Sequence, residues 1–582
     1  MASDKEICHI VLLTIRFLGH TLHLRGFFGG DKLKRRDLIL GIGFMGMAAP
    51  SISKDILSDR KSGVMRDVSE AIVYKTPEMF GAIGDGINDD SQYIQMASDW
   101  VTSKSFRKLV FNPGKIYRIT QTINFEFKKD VFGCCIDMQG AIKPDPDIGD
   151  GFILSGVVGG TLNLSVIGDG VNDYKDIPDY SKPSPAGCQQ AFVIDSSRAT
   201  RISCFGYGYK GRVLRTQSTG SIKTSFLEIS IWTGDKQLIY KNGICGQAAY
   251  LEGGKDAFGF ITNAYTNWDA YGSVLYKLTD LTIGHWEYGA GEINPALSII
   301  GCQTVHVVVL SGGVSSGKNA ALRISHADDQ KSIAINIQRL FLTNGDNNLE
   351  IYGAGSDDKD RRVVSIDSFY SYKSSKSSIL INGVSNILVN DIYCDDTDTG
   401  VTMNGFCENI KICGYIKNPR KNGILSGSRS YISSSIFSCK IIVPDKNAIC
   451  IDLSQAMRAH AAISDSMLSG DGFAFSLGKG NEIDVIGGSV KCARLFHGET
   501  PKSILNVSGI SLSSNGISES ASGVGTIIVN HNLTTKPSHI NITPLSDNNG
   551  YFVSEINEEH FIVNFKDAGN NKKLLIMWEC RV

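Results

Sequence analysis

Aromatic rings and carboxylates are concentrated in one stretch of this 582-residue chain, between residues 232 and 292. Three of the five tryptophans and six tyrosines fall there. Aromatic rings offer an apolar face to the C–H groups of a sugar, and the polar ends of Trp and Tyr can bond to hydroxyls. The density of rings therefore favours a groove for a sugar chain over ordinary core packing. The residues expected to contact the sugar are Trp232, Trp268, Tyr271, Trp286, Tyr288 and Lys255.

The same stretch carries carboxylates that could cleave a glycosidic bond. Hydrolysis needs two carboxyl groups, one protonated and one ionised, on either side of the bond. Burial against apolar surface favours the protonated form, and Glu287 stands between Trp286 and Tyr288. We predict Glu287 as the acid and Asp269 as its partner, with Asp256 as the substitute. Glu287 and Asp269 are 18 residues apart in the sequence, so they could meet on adjacent strands.

A second chemistry, β-elimination from a uronic acid, would use other groups of this stretch. It needs a base close to the C5 proton and a cation or donor that stabilises the enolate. His285 and Tyr288 are the candidate bases, and Lys255 could neutralise the carboxylate of the sugar. The residues alone leave both reactions open, with hydrolysis favoured.

The alternation of side chains gives a structural alternative for His285 and Glu287. Both residues share the phase of Leu281 and Ile283, so a regular strand would direct all four side chains into the interior. A bulge is needed to turn His285 and Glu287 outward, and bulges are common beside active sites. Without a bulge, the two residues would form a bonded polar pair inside the protein.

A turn followed by a helix start is visible in residues 79–97, MFGAIGDGINDDSQYIQMA. The glycines allow positive φ in the turn. Asp90 or Ser91 can cap a helix whose apolar residues recur at helical spacing from Ile94. A strand, a turn and a second strand are predicted to follow over residues 108–119.

This order of elements resembles the start of pectate-lyase-like β-helices, in which the helix caps the first turn of the solenoid. The resemblance implies an all-β, right-handed parallel β-helix that works on polysaccharides. It also implies that Asp85, Asp89 and Asp90 belong to turns and caps rather than to an active site.

Internal periodicity supports the same fold, because two apolar series recur in phase at steps of 20–25 residues. Two series mean at least two short strands in each period, and such turns bury their apolar edges only by stacking. We predict the β-helix over residues 74–515. The first series contains Ile379/Ile381, Val401/Met403, Ile424, Ile449/Ile451, Phe473/Phe475 and Ala493/Leu495, and the second contains Ile387, Ile410, Ile432, Ile483 and Ile504.

From residue 516 onward the pattern changes to alternating segments at roughly 8–12-residue spacing. This predicts a small antiparallel β domain over residues 516–582. Its sequence, with His531 in a turn and Trp578 in the last strand, resembles the terminal modules of phage tail fibres and spikes. The resemblance implies a homotrimer and a module that assists trimer formation or binds glycan.

Residues 1–73 have two possible roles. Their apolar stretches, 7–18 and 38–49, are shorter than the roughly 20 residues of a spanning helix. The second stretch follows Arg35 and Arg36, as in a twin-arginine export signal, although it lies late for one. The favoured interpretation is an anchor and neck that attach the chain to a phage tail or baseplate.

Composition excludes several other classes of protein. A net charge of −1 without a basic stripe argues against nucleic acid as a partner. The 14 cysteines contain no CxxC spacing and are expected to be buried free thiols. The acidic runs 357–360 and 395–398 are interpreted as solvated loops, so we predict neither a metal nor a cofactor.

Together these features predict a phage tailspike depolymerase that binds and cleaves a capsular or O-antigen polysaccharide of a bacterial surface. The alternatives are a secreted pectinase-like lyase or hydrolase and a non-catalytic adhesin that only binds glycan. The first places the chain in the virion, and the secreted enzyme would be exported.

Overall fold

The computed structural model describes residues 13–17, 20–24 and 74–581, with gaps at 170–188, 221–222, 234–244, 255, 291–293, 315–316, 354–360, 498–503, 509–510, 521–525, 532–535, 546–549, 559 and 567–573. Side chains are described except at 13–24, 267–270, 290, 361–363, 504–508 and 511–517. The chain divides into two units, 1–71 and 72–582. In the first, β1 (Leu13–Phe17) and β2 (His20–Leu24) pair antiparallel. The rest of the predicted anchor, with both arginines, lies outside the described residues.

The second unit is almost entirely β-structure. It opens with β3 (Tyr74–Lys75), a short 3-10 helix (Pro77–Phe80), β4 (Asp85–Asp89) and helix α1 (Ser91–Val101). The strands that follow are β5 (Lys108–Phe111), β6 (Ile116–Ile119), β7 (Ile123–Glu126), β8 (Cys135–Met138), β9 (Ala141–Pro144), β10 (Asp150–Ser155), β11 (Thr161–Ile167), β12 (Gln190–Asp195), β13 (Arg201–Tyr207), β14 (Arg212–Gln217), β15 (Leu227–Thr233), β16 (Cys245–Glu252), β17 (Ala257–Tyr271), β18 (Ser273–Tyr276), β19 (Thr279–Ala290), β20 (Leu297–Ile300), β21 (Gln303–Gly313), β22 (Leu322–Ser325), β23 (Ile333–Thr343), β24 (Asn347–Tyr352), β25 (Arg361–Asn382), β26 (Ser385–Asn404), β27 (Phe406–Lys417), β28 (Asn422–Ser426), β29 (Tyr431–Val443), β30 (Ile449–Leu453), β31 (Arg458–Leu477), β32 (Glu482–Phe496), β33 (Ile504–Ser508), β34 (Ser511–Glu519), β35 (Thr526–Asn530), β36 (His539–Pro544), β37 (Tyr551–Ile556), β38 (His560–Phe565) and β39 (Leu575–Arg581).

Parallel pairing stacks these strands into a solenoid of about 14 turns, which confirms the predicted parallel β-helix. Each long strand pairs with its counterparts one turn before and one turn after, as β19 does with β17 and β21. Apolar side chains in register then form continuous interior columns. One such column contains Ile261, Ile283, Val307, Ile337 and Ile366, all at most 2% exposed. Each buried side chain of this kind contributes about 1.5–3 kcal/mol, so the stacked core holds the turns together.

Helix α1 packs on the first turns as predicted, with Ile94, Ala97 and Val101 fully buried. The aspartates before it are turn residues. The buried Asp90 carboxylate accepts hydrogen bonds from the backbone N–H of Ile83 at 2.7 Å and of Gly84 at 3.0 Å. It therefore fixes the turn before the helix and does not cap the helix itself.

The two neighbouring aspartates also serve local turns. Asp85 accepts from the backbone N–H groups of Ile87 and Asn88. Asp89 accepts from the backbone N–H of Ser91 at 3.0 Å, in the first turn of α1. The interpretation of these aspartates as turn and cap residues is confirmed.

The predicted register is correct in the middle of the second half and slips near its end. Ile379 pairs with Val401, and Ile387 pairs with Ile410, as the periodicity indicates. Two assignments are wrong. Ile432 pairs with Cys407 rather than Ile410. In the last turn Phe475 pairs with Phe496 and Ile483 with Leu505, one residue from the predicted Leu495 and Ile504.

Two small antiparallel sheets follow the solenoid, as predicted from the change of pattern. One contains β34, β39 and β36, and the other contains β35, β38 and β37. Strand β34 also pairs in parallel with β32 of the solenoid. It therefore runs through residue 516, where the sequence pattern changes.

Twelve cysteines lie among the described residues, all are free thiols, and ten of them are buried. This confirms the expected buried thiols for that part of the chain. None of the helices in the described segments is long and apolar enough to cross a membrane.

Replacing Asp90 with alanine should destabilise the first turn, because it leaves two buried N–H groups without acceptors. The expected cost is about 1–3 kcal/mol. Hydrogen exchange should show faster exchange at Ile83, Gly84 and in α1. Asp99→Ala on the exposed face of the same helix is the control, and equal protection in the two variants would contradict the assigned role.

Candidate active site

A change of phase within β19 decides which side chains of the aromatic stretch face outward. Leu281 and Ile283 point into the core, and Trp286 is also completely buried. The inward positions thus shift by one residue at Gly284 and His285. The irregularity that the sequence required is present, and it leaves His285 and Glu287 half-buried on the outer surface.

The neighbouring strand makes the same change. In β17, Ile261 pairs with Ile283 and Asn263 pairs with His285, with Thr262 and Gly284 at the bend between them. The register between β15 and β17 shifts at the same place. The bend is therefore a shared corner of successive turns rather than a local defect in β19.

Outward positions beyond this corner form one column along the solenoid, here called the aromatic column. Each member pairs with the next across adjacent strands, which are about 4.8 Å apart. In order along the chain its members are Phe205, Trp232, Tyr265, Glu287, Ser311, Phe341, Tyr370, Tyr393, Tyr415 and Lys440. Eight turns out of ten thus contribute an aromatic ring or a carboxylate to the same line.

The rings of the column form two stacks. Trp232 and Tyr265 lie 5.1 Å apart between ring centroids. On the other side Phe341 and Tyr370 are stacked at 5.0 Å with planes 9° apart, and contacts of 6.3 and 5.7 Å continue the stack to Tyr393 and Tyr415. Glu287 and Ser311 occupy the interval between the two stacks.

A cleft of about 620 Å³ opens over this interval. Glu287 lies on one side of it, Phe341 and Tyr370 lie on the other, and Ser311, Gly312 and Gly313 are between them. A mainly apolar concavity with a few polar groups is the usual form of a ligand site. The arrangement places one carboxylate next to ring surfaces that can support a sugar.

Three predicted sugar contacts belong to the core instead. Trp286, Tyr288 and Tyr271 are at most 4% exposed, so the prediction that these rings contact a sugar chain is wrong. Trp286 Nε1 donates to Thr266 Oγ1 at 2.9 Å inside the solenoid. Of the predicted ring contacts with described side chains, Trp232 is the exposed one, at 48%.

Tyr288 also fails as the base of an elimination. Burial raises the pKa of its hydroxyl well above the ordinary value, and the hydroxyl has no hydrogen-bond partner in the described structure. His285 is on the outer surface with its ring 5.4 Å from that of Tyr265. Of the two predicted bases, His285 alone could reach a ligand.

The predicted partner carboxylates are placed differently. The backbone of Asp269 pairs with Ala290, on the strand next to Glu287 and three residues further along, and its side chain lies outside the described residues. Asp256 is exposed beside the start of β17, nine residues before the Tyr265 that pairs with Glu287. The structure therefore brings Asp269, and not Asp256, near Glu287. Lys255 and the side chain of Trp268 also lie outside the described residues.

Sequence reasoning missed the second stack, although a signal for it exists. Phe341, Tyr370, Tyr393 and Tyr415 follow one another at steps of 29, 23 and 22 residues, close to the period of the solenoid. Tracking aromatic residues at that period would have found them. The density of rings within one stretch of sequence could not.

Other charged groups have identified partners. Burial raises the pKa of Glu252 on another flank, and Arg215 at 3.8 Å opposes that shift. In the acidic run 395–398, Asp395 is paired with Lys417, and Asp396 and Asp398 are paired with Arg420. That run is thus ion-paired rather than simply solvated.

One more cluster of titratable groups lies near the C-terminal end of the solenoid, where His460, Glu482 and Asp484 are close together. His460 Nε2 is 3.3 Å from Asp484 Oδ2. A cleft of about 460 Å³ beside them is bordered by Tyr431 and Arg458. This cluster is remote in register from the aromatic column and was not predicted.

Similarity to known proteins points in the same direction as the cleft. The chain is 52% identical over 56 residues to a depolymerase of Klebsiella phage K64-1 described as specific for capsule K30/K69. The matched segment is 10% of this chain and 7% of that relative. No family model matches the chain. The chain resembles a phage capsule depolymerase.

Solved phage tailspikes are similar at low identity. The tailspike protein of E. coli bacteriophage HK620 in complex with pentasaccharide has 9% identity and a TM-score of 0.34, over 87% of this chain and 93% of that one. A variant of the same tailspike, also with pentasaccharide, has 8% identity and a TM-score of 0.38 over the same shares.

Replacing Tyr288 with phenylalanine should raise the free energy of unfolding by about 1 kcal/mol, since it removes a buried hydroxyl without a partner. Tyr117→Phe is the matched control with the opposite sign. Its buried hydroxyl donates to Glu78 at 2.7 Å and accepts from the backbone N–H of Asn112. Chemical unfolding of both variants checks the pair, and loss of glycan cleavage in Tyr288→Phe would restore Tyr288 as a catalytic base.

Proposed function

We propose that this protein is a phage tailspike depolymerase that binds a bacterial capsular or O-antigen polysaccharide along the aromatic column and hydrolyses it at Glu287. The observation that carries the proposal is the interruption of the aromatic column by a single carboxylate at a cleft. A column of exposed rings parallel to the solenoid suits a long, repetitive ligand, because equivalent positions recur about every 4.8 Å.

Glu287 is assigned the role of general acid. It would protonate the glycosidic oxygen as the bond to the anomeric carbon breaks, and a water molecule would add to that carbon. The second carboxylate would activate the water or stabilise the developing cation. Asp269 is retained for that role because its backbone lies on the adjacent strand.

Elimination is the second candidate reaction, and one observation keeps it in view. His285 lies on the same outer surface as Glu287 and could take a proton from a uronic acid in the cleft. Hydrolysis is preferred because the group that borders the cleft is a carboxylate, while Tyr288 is buried.

The wider assignments follow from the proposal. Residues 1–73 would attach the chain to the phage tail, residues 74–515 would carry the glycan site, and residues 516–582 would support a homotrimer or bind glycan. The virion is then the location of the protein. The capsule types K30 and K69 in the description of the relative are the first substrates to test.

Glu287→Gln should lower the rate of cleavage by about 100-fold to 10,000-fold, the usual contribution of a general acid. Purified capsules, K30 and K69 first, are incubated with the protein, and new reducing ends are measured together with the ultraviolet absorbance of unsaturated sugars. Glu228→Gln, an exposed carboxylate paired with Arg201 on another flank, is the control.

Each outcome of this assay has one meaning. Reducing ends without an absorbance rise support hydrolysis, and a rise in absorbance indicates elimination. Full activity in Glu287→Gln would refute the assigned acid. Binding without any cleavage would indicate an adhesin, and a protein processed near residue 49 would favour the secreted enzyme.

A further inference from the structure

The interval in the aromatic column has a definite size. Tyr265 and Phe341 are three steps apart, so about 14 Å separates their positions along the solenoid. The two residues between them are Glu287 and Ser311. The serine side chain is much shorter than the rings on the following turns, so the column has space where one ring is missing.

One face of Phe341 borders this space. Its ring is stacked at 5.0 Å on Tyr370, nearly parallel to it, so that side is covered. On the other side its partner in register is Ser311. Among the described residues Phe341 makes no other ring contact, and its side chain is 38% exposed. The stack therefore ends with an aromatic face that is open to the cleft.

The turn that carries Ser311 is small at every outward position beside it. Gly312 and Gly313 follow directly and line the cleft. A Cβ on Gly312 would lie 2.2 Å from the Tyr288 ring, so a side chain is excluded there by the core. The floor of the space is thus kept flat by packing from inside the solenoid.

We propose that the space over Ser311 is a slot for one pyranose ring of the glycan, which takes the place of the missing aromatic residue. The sugar stacks its C–H face on Phe341 and turns its polar edge toward Glu287. Phe341 is then a substrate-positioning residue of the column. The inference rests on the proposed function, since it assigns the sugar class and orientation at the same cleft.

The chemistry of a pyranose fits the two sides of the slot. One face of the ring presents C–H groups to an aromatic surface, and its edge presents hydroxyls and the glycosidic oxygen to a carboxylate. A sugar that carries a bulky group on its stacking face would not enter. The slot therefore selects rings with one unsubstituted apolar face.

The test is to complete the column. Ser311→Tyr places a ring in line with Phe341 and should fill the slot while leaving the core unchanged. Binding is measured by calorimetry with purified K30 and K69 capsular oligosaccharides, using variants that also carry Glu287→Gln so that the ligand stays intact. We expect affinity to fall tenfold or more, with an unchanged or raised melting temperature because the ring extends an existing stack.

Ser489→Tyr is the matched control, because Ser489 occupies the same column beyond Lys440 and Met467. It should leave affinity unchanged. A second pair of variants does not depend on a new ring. Phe341→Leu should weaken binding, whereas Phe341→Tyr, which keeps the aromatic face, should restore it.

The outcomes separate the slot from the function on which it rests. Wild-type affinity in Ser311→Tyr, or equal binding by Phe341→Leu and Phe341→Tyr, would overturn the slot. Loss of binding in Ser311→Tyr with full cleavage in the Glu287→Gln variant would keep the slot and remove the assigned acid. A wild-type protein that neither binds nor cleaves any capsule would remove both.

Discussion

The spacing of about 4.8 Å between hydrogen-bonded parallel strands is the constraint on which the rest of this molecule depends. It places equivalent positions of successive turns directly above one another. Inward positions must then be apolar on turn after turn, as in the column from Ile261 to Ile366. Outward positions are free of that demand, and a preference at one of them becomes a line along the surface. The aromatic column is such a line, so the core and the candidate site come from the same repeat.

The fold could be predicted from sequence because its signals are local or strictly periodic. The glycine-rich turn, the helix after it and the recurrence near 23 residues each survive without knowledge of long-range contacts. Register is harder, because turns differ in length and a single extra residue shifts every later pairing. The slips at Ile432 and at Phe496 have this origin. Between Ile432 and Ser435 the pairing itself shifts, so counting from Ile410 goes wrong there.

The site was found only in part, for a physical reason. Residues that are close in sequence on a strand face opposite sides, so a dense aromatic stretch is divided between core and surface. Trp286 and Tyr288 went to the core, and Glu287 between them went to the surface. The rings that border Glu287 across the cleft come from later turns and share no sequence neighbourhood with it. Periodicity of the outward positions, rather than local density, is the signal for a site on a solenoid.

Packing inside the solenoid also shapes the surface of the candidate site. Two large side chains, Trp286 and Tyr288, face inward on one turn, and Gly312 must be small on the next because the Tyr288 ring lies against it. That strand cannot bulge outward to relieve the crowding, since its backbone is paired with the turns on both sides. A depression on the outer surface is compatible with this arrangement only where the neighbouring outward residues are short, as Ser311 and Gly313 are. Enlarging Gly312 would therefore disturb the core and the cleft together, whereas enlarging Ser311 changes the cleft alone.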